Sequence, residues 1–97
     1  MPPANTSGEQ AEVVIYSSDY CPYCMMAKRL LAGLNVDFDE ITVDGKPAIR
    51  QQMTEKSGAR TVPQIFIDEK PIGGSDDLHA LQASGKLHSL LYPTPEK

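Results

Sequence analysis

The stretch "EVVIYSSDYCPYCMMAKRLLAGLN", residues 12–35, decides the fold. Glu12 to Ser17 is rich in β-branched and apolar residues and reads as a buried strand. Beyond it, Ala27, Leu30, Leu31 and Leu34 recur at i, i+3, i+4 and i+7, the spacing of one helix face. Pro22 suits the first helical turn, where its missing N–H is no loss, and Gly33 and Asn35 suit the exit. The chain's two cysteines, Cys21 and Cys24, both fall at the joint between this strand and this helix.

Working outward, "VDFDEITV" (Val36 to Val43) reads as a second strand. "DGKPAIRQQMTEKSG" reads as a second helix, with Pro47 near its start, Gly58 past its end, and Ile49 and Met53 as a thin apolar stripe. "TVPQIFID" (Thr61 to Asp68) is a third strand with Pro63 at its beginning, because proline cannot donate to a ladder. "EKPIGG" turns into a short fourth strand. "SDDLHALQASG" is a helix with acids in its first turn and Gly85 at its end, and Leu87, Leu90 and Leu91 supply a last apolar turn. The order β-α-β-α-β-β-α predicts an α/β domain. The first β-α-β unit implies a parallel pair with a right-handed crossover, and the last two strands a hairpin, giving a four-stranded mixed sheet flanked by helices.

Size and charge narrow the function. Ninety-seven residues make one small domain. We expect residues 1–11 and 93–97 to be tails, because Pro, Gly and small polar residues dominate them, and 12–92 to be the folded unit. A net charge of -4 disfavours nucleic acid and anionic membranes as partners. No run approaches the roughly 20 apolar residues of a membrane span, and "MPPANTSGEQ" lacks the basic and apolar parts of a secretory signal. The expected setting is therefore the reducing cytoplasm, where structural disulfides are rare.

Three readings of Cys21 and Cys24 compete. A structural staple across four residues removes little loop entropy, less than the roughly 3 kcal/mol of a 15-residue loop. A zinc site wants four ligands, and the other candidates, His79 and His88, lie elsewhere in the chain. A redox pair wants Cys-X-X-Cys at a strand-to-helix joint, and that is its position here. A helix start stabilises a thiolate by about 0.3–2 kcal/mol. That is too little to ionise Cys21 fully at neutral pH without hydrogen bonds or basic neighbours.

With "CPYC", "TVPQIFID" and "IGGSDDL" in this order, the chain resembles a dithiol glutaredoxin, of the thioredoxin fold, from about Val13 to Leu91. The resemblance implies a glutathione-dependent thiol–disulfide oxidoreductase acting on glutathione mixed disulfides and protein disulfides. It implies glutathione as cosubstrate, no bound cofactor or metal, and a monomer. Cys21 then matches the nucleophile and Cys24 the resolving thiol. Tyr23 matches a ring beside the tripeptide. Pro63 matches a cis-proline that turns Val62 toward the ligand's cysteine, next to Thr61. Gly74, Ser75, Asp76 and Asp77 match the γ-glutamyl contacts, whereas local sequence alone reads as Ser75 capping a helix. Arg50 and Arg60 are candidates for the glycyl carboxylate, or else ordinary surface arginines.

The departures carry expectations of their own. Many members have lysine where Ser18 stands, and a basic residue where Met25 stands. With Asp19 nearby as well, Cys21 is expected to form its thiolate less readily than in typical members. Ser75 replaces a frequent third cysteine. His79, Lys28 and Arg29 are expected on solvated helix faces, and Met25 and Met26 at the rim or in packing. Two rival functions remain: a thioredoxin-like electron donor recharged by a reductase, and an iron–sulfur module. Pro22 argues against the second, because cluster-binding members mostly lack it.

Overall fold

A computed structural model describes residues 10–92. Its elements are β1 (Val13–Ser17), α1 (Pro22–Gly33), β2 (Asp39–Thr42), α2 (Pro47–Ser57), β3 (Gln64–Ile67), β4 (Lys70–Gly73), α3 (Ser75–Ser84) and α4 (Lys86–Leu91). The sheet order is β2-β1-β3-β4. β1 runs parallel to β2, while β1–β3 and β3–β4 are antiparallel. The expected four-stranded mixed sheet is therefore present, with one helix added at the end. Gly85, at φ 82°, breaks the chain between α3 and α4, so the final apolar turn is a helix of its own.

β1 and β3 are central strands covered on both faces, which is why their sequences read as nearly unbroken apolar runs. Side chains alternate between two cores. Val13, Ile15, Ile65 and Ile67 join Ala27, Leu31, Leu78, Leu87 and Leu91 on the α1, α3 and α4 side. Tyr16 and Phe66 meet Val43 and Met53 on the α2 side, with the two rings edge to face at 5.6 Å. β4 is an edge strand and tolerates Pro71. Its hairpin with β3 turns through Asp68 and Glu69, both at positive φ, as a two-residue turn of this twist requires.

Several boundaries move inward. Val36 and Val43, read as the ends of the second strand, are buried, but neither lies in the β2 ladder. Val36 N–H closes onto Leu31 C=O at 2.9 Å as the chain leaves α1. Val43 N–H takes Ser17 C=O at 2.9 Å, just before the turn at Gly45. Thr61 and Val62 precede β3 rather than join it. The N-terminal boundary needs correction. Gln10 and Ala11, assigned to the tail by composition, belong to the domain: Ala11 is buried and donates to Leu91 C=O at 2.7 Å, and the Gln10 amide donates to Asp37 C=O. The remaining tail assignments, at 1–9 and 93–97, lie outside the described residues. No described helix is long and apolar enough to cross a membrane.

This fold positions the cysteines. β1 ends at Ser17, a short loop follows, and α1 starts with Pro22 as its first residue. Cys24, Ala27 and Leu31 form the buried stripe of α1. Cys24 is thus carried into the core by the same periodicity that anchors the helix.

Candidate active site

Cys21 is the N-cap of α1, with extended backbone (φ -120°, ψ 105°). Its Sγ accepts the Cys24 N–H at 3.1 Å, so sulfur does the work that Ser or Asp usually does at this position. Its S–H points to the Val62 carbonyl at 3.6 Å. Cys21 is half-buried and Cys24 has no exposure; neither is in a disulfide. Burial, and then the hydrogen bond with Cys21, push the Cys24 thiol up to about 12, against weaker opposing pulls from the Ser18 backbone and the Lys28 ammonium.

Beside Val62 lies a hollow of about 410 Å³. Tyr23 comes to it from α1, Thr61, Val62 and Pro63 from the loop before β3, and Gly74, Ser75, Asp76 and Asp77 from the start of α3. The Val62–Pro63 bond is cis. Eight of the candidate residues therefore share one cavity, and Cys21 meets its wall at Val62. Gly74, not Ser75, is the N-cap of α3, and the Asp77 carboxylate accepts the Gly74 N–H at 3.1 Å. Ser75 is buried instead, its hydroxyl 3.3 Å from Nδ1 of His79. His79 Nδ1 also lies 2.8 Å from the Ser75 carbonyl, so it is not the freely solvated residue expected.

Arg50 and Arg60 are placed elsewhere. Arg50 Nη1 donates to the Arg60 carbonyl at 2.6 Å, and both residues line a separate hollow of about 320 Å³ against α2. Four cavity residues escaped sequence reading: Ser57, Ala59, Gln64 and Gly73. Gln64 left a signal, as a polar residue opening an apolar strand. It is buried, and its amide donates to Thr61 C=O at 3.0 Å and Thr61 Oγ1 at 3.3 Å, which holds the loop carrying Val62. Gly73 has φ 118°, and a β-carbon there would overlap the Asp77 carboxylate. Ser57 and Ala59 left no signal.

Two of the departures have partners. Ser18 Oγ donates to Asp44 Oδ1 at 2.6 Å, and Asp19 N–H donates to Asp44 Oδ2 at 2.8 Å. These bonds fix the loop before Cys21 and hold the Asp44 carboxyl below its ordinary 3.8. Lys28 corrects the expectation of a solvated face: its Nζ is 2.7 Å from Glu40 Oε2 on β2. Met25 and Met26 are exposed, as are Tyr20 and Tyr23, and of these four only Tyr23 lines the cavity. Among the described residues, no three metal-ligating side chains gather.

The chain is similar to known proteins in sequence and in fold. Residues 13–72 match the Glutaredoxin family. A glutaredoxin of Pseudomonas aeruginosa is 56% identical over 79 residues, spanning 81% of this chain and 94% of that protein. The solution structure of a Brucella melitensis glutaredoxin superposes with a TM-score of 0.79 at 47% identity, covering 90% of this chain and 95% of the other. The crystal structure of a buckwheat glutaredoxin–glutathione complex superposes at 0.78 with 34% identity, covering 84% and 76%. The chain belongs to the glutaredoxin family of glutathione-dependent thiol–disulfide oxidoreductases.

Proposed function

We propose that Cys21 is the nucleophile and Cys24 the resolving thiol of a dithiol cycle. One observation carries this reading: the sulfur at the helix start is accessible and bonded to the cavity wall, while its partner one turn on is buried. The Cys21 thiolate attacks a disulfide, forms a mixed disulfide and releases one thiol. From a glutathionylated protein, Cys21 takes the glutathione, and a second glutathione frees it as glutathione disulfide. From a protein disulfide, Cys24 attacks the mixed disulfide, the second partner thiol leaves, and the Cys21–Cys24 disulfide is reduced by two glutathiones. No other electron carrier enters the balance, and no bound cofactor is needed.

Glutathione takes the 410 Å³ hollow. Its central cysteine pairs with the Val62 backbone as an added strand would, and Tyr23 flanks it. Its γ-glutamyl carboxylate meets the amides at the start of α3, a ten-residue helix, and its ammonium meets Asp76 or Asp77. Its glycyl end passes Thr61 toward Arg60 and Arg50. The buckwheat complex supports glutathione as the ligand. The protein works as a monomer in the cytoplasm, on glutathionylated and disulfide-containing proteins.

Turnover of a glutathione mixed disulfide and of a protein disulfide tests the roles. Cys21→Ser loses both activities; Cys24→Ser keeps the first and loses the second. Turnover by Cys21→Ser would overturn the assignment. Turnover with a flavoprotein reductase but none with glutathione would replace glutathione as electron source.

A further inference from the structure

Cys24 poses a problem that the cycle above leaves open. It is fully buried and must attack as a thiolate, yet burial opposes its ionisation. Lys28 lies four residues further along α1, and residues four apart share one helix face. A lysine on a helix ordinarily spreads its charge over many rotamers. Here Nζ is held 2.7 Å from Glu40 Oε2, and the same oxygen accepts the Ser17 hydroxyl at 2.6 Å. Ser17 has no exposure and ends β1, four residues before Cys21. The Lys28 and Glu40 side chains are only 28% and 34% exposed. One buried hydroxyl and one carboxylate thus hold in a single place the ammonium of the residue one turn after Cys24.

We infer that Lys28, tethered by Glu40 and Ser17, is a positioning residue for the resolving step, its fixed charge favouring the Cys24 thiolate that attacks the Cys21 mixed disulfide. The inference rests on the proposed role of Cys24. In the step, Cys24 sulfur bonds to Cys21 sulfur, the bond from Cys21 to its partner sulfur breaks, and the proton lost by Cys24 ends on the departing thiol. Lys28 stays protonated throughout. Once Cys21 is in a mixed disulfide, its thiol no longer bonds Cys24 or repels its charge. Burial then opposes ionisation, and the Ser18 backbone and Lys28 favour it. Among the described residues, Cys21 and Lys28 are the titratable groups that bear on Cys24, and the Glu40 carboxylate, 2.7 Å from the Lys28 ammonium, partly offsets its charge. On α3, which packs against α1, Asp77 is engaged by Gly74, and His79 by Ser75.

The test starts from protein carrying glutathione on Cys21 and follows its release by Cys24 in rapid-quench, from about pH 6 to 10. Lys28→Gln slows release about 3- to 30-fold at pH 7 and moves the pH profile upward by about 0.5 to 1.5 units, the size of a single nearby charge. Lys28→Arg restores most of the rate. Glu40→Gln keeps a hydrogen-bonding group but removes the neutralising charge, so it moves the profile downward, opposite in sign to Lys28→Gln. In a Cys24→Ser background, Lys28→Gln has no effect on release by added glutathione. An unmoved profile in Lys28→Gln, or shifts of one sign in both variants, overturns the inference. Failure of Cys21 to accept glutathione at all would instead overturn the parent reading.

Discussion

The two cysteines sit one helical turn apart in opposite surroundings. Cys21 is half-buried, and its sulfur is bonded to the Cys24 amide and to the carbonyl of Val62, which walls the hollow. Cys24 looks inward, on the stripe with Ala27 and Leu31. Three residues of rise along α1 are enough to carry a sulfur from the solvent edge to a site with no exposure. The division of labour between two identical side chains follows from that displacement: one is reachable, and the other is protonated and sheltered until needed.

The contrast is broken most directly at Cys21. Cys21→Ser should lower glutathione-dependent turnover at least about 1,000-fold, because the oxygen nucleophile cannot carry disulfide exchange; retention of more than a few per cent would end the distinction. The inner region is next. Leu31→Ala should cost about 2–5 kcal/mol in urea unfolding, while Met26→Ala on the exposed face costs less than about 0.5 kcal/mol. Equal losses would mean that α1 does not have an inner and an outer side.

Alkaline pH sharpens the same contrast. An unfolded chain ionises Cys24 near its ordinary 9, but the reduced native protein holds that proton to about 12. Above pH 9 the unfolded state therefore binds fewer protons, and stability falls as pH rises toward 12; below 9 this component is constant. Urea midpoints of wild type and Cys24→Ser at about pH 7 and 10.5 check the sign: the wild type should lose more.

Smaller effects lie on the Cys21 side. Gly73→Ala should cost about 1–2 kcal/mol, from positive φ and from the displaced Asp77 carboxylate, and should weaken glutathione binding at equilibrium. The smallest is Ser18→Lys, which should speed alkylation of Cys21 at mildly acidic pH about two- to tenfold. No change would mean that Asp44, which now holds the Ser18 hydroxyl, neutralises the new charge.

Legibility in the sequence followed the range of the interaction. The helix of Cys21 and Cys24, the proline at its start, the glycines at 58 and 85 and the hairpin before Gly73 were readable, because each depends on neighbours within a turn or two. The site was partly readable: three short motifs pointed to Tyr23, to Thr61 through Pro63, and to Gly74 through Asp77, and the structure gathers these into one cavity. Arg50 and Arg60 could not be placed from their motifs, since their positions depend on where α2 meets the loop before β3.

By itself, then, the sequence determined that both thiols stand at the start of a helix, three residues apart, because helical spacing and the chemistry of helix ends are local. The tertiary structure alone decided the charges around them. Lys28 meets Glu40 across 12 residues, Ser17 meets Glu40 across 23, and Ser18 meets Asp44 across 26. Each pairing exists because β1 and β2 lie parallel in one register, with Ser17 opposite Thr42. A shift of one residue turns the Glu40 side chain to the other face of the sheet, away from Ser17 and Lys28.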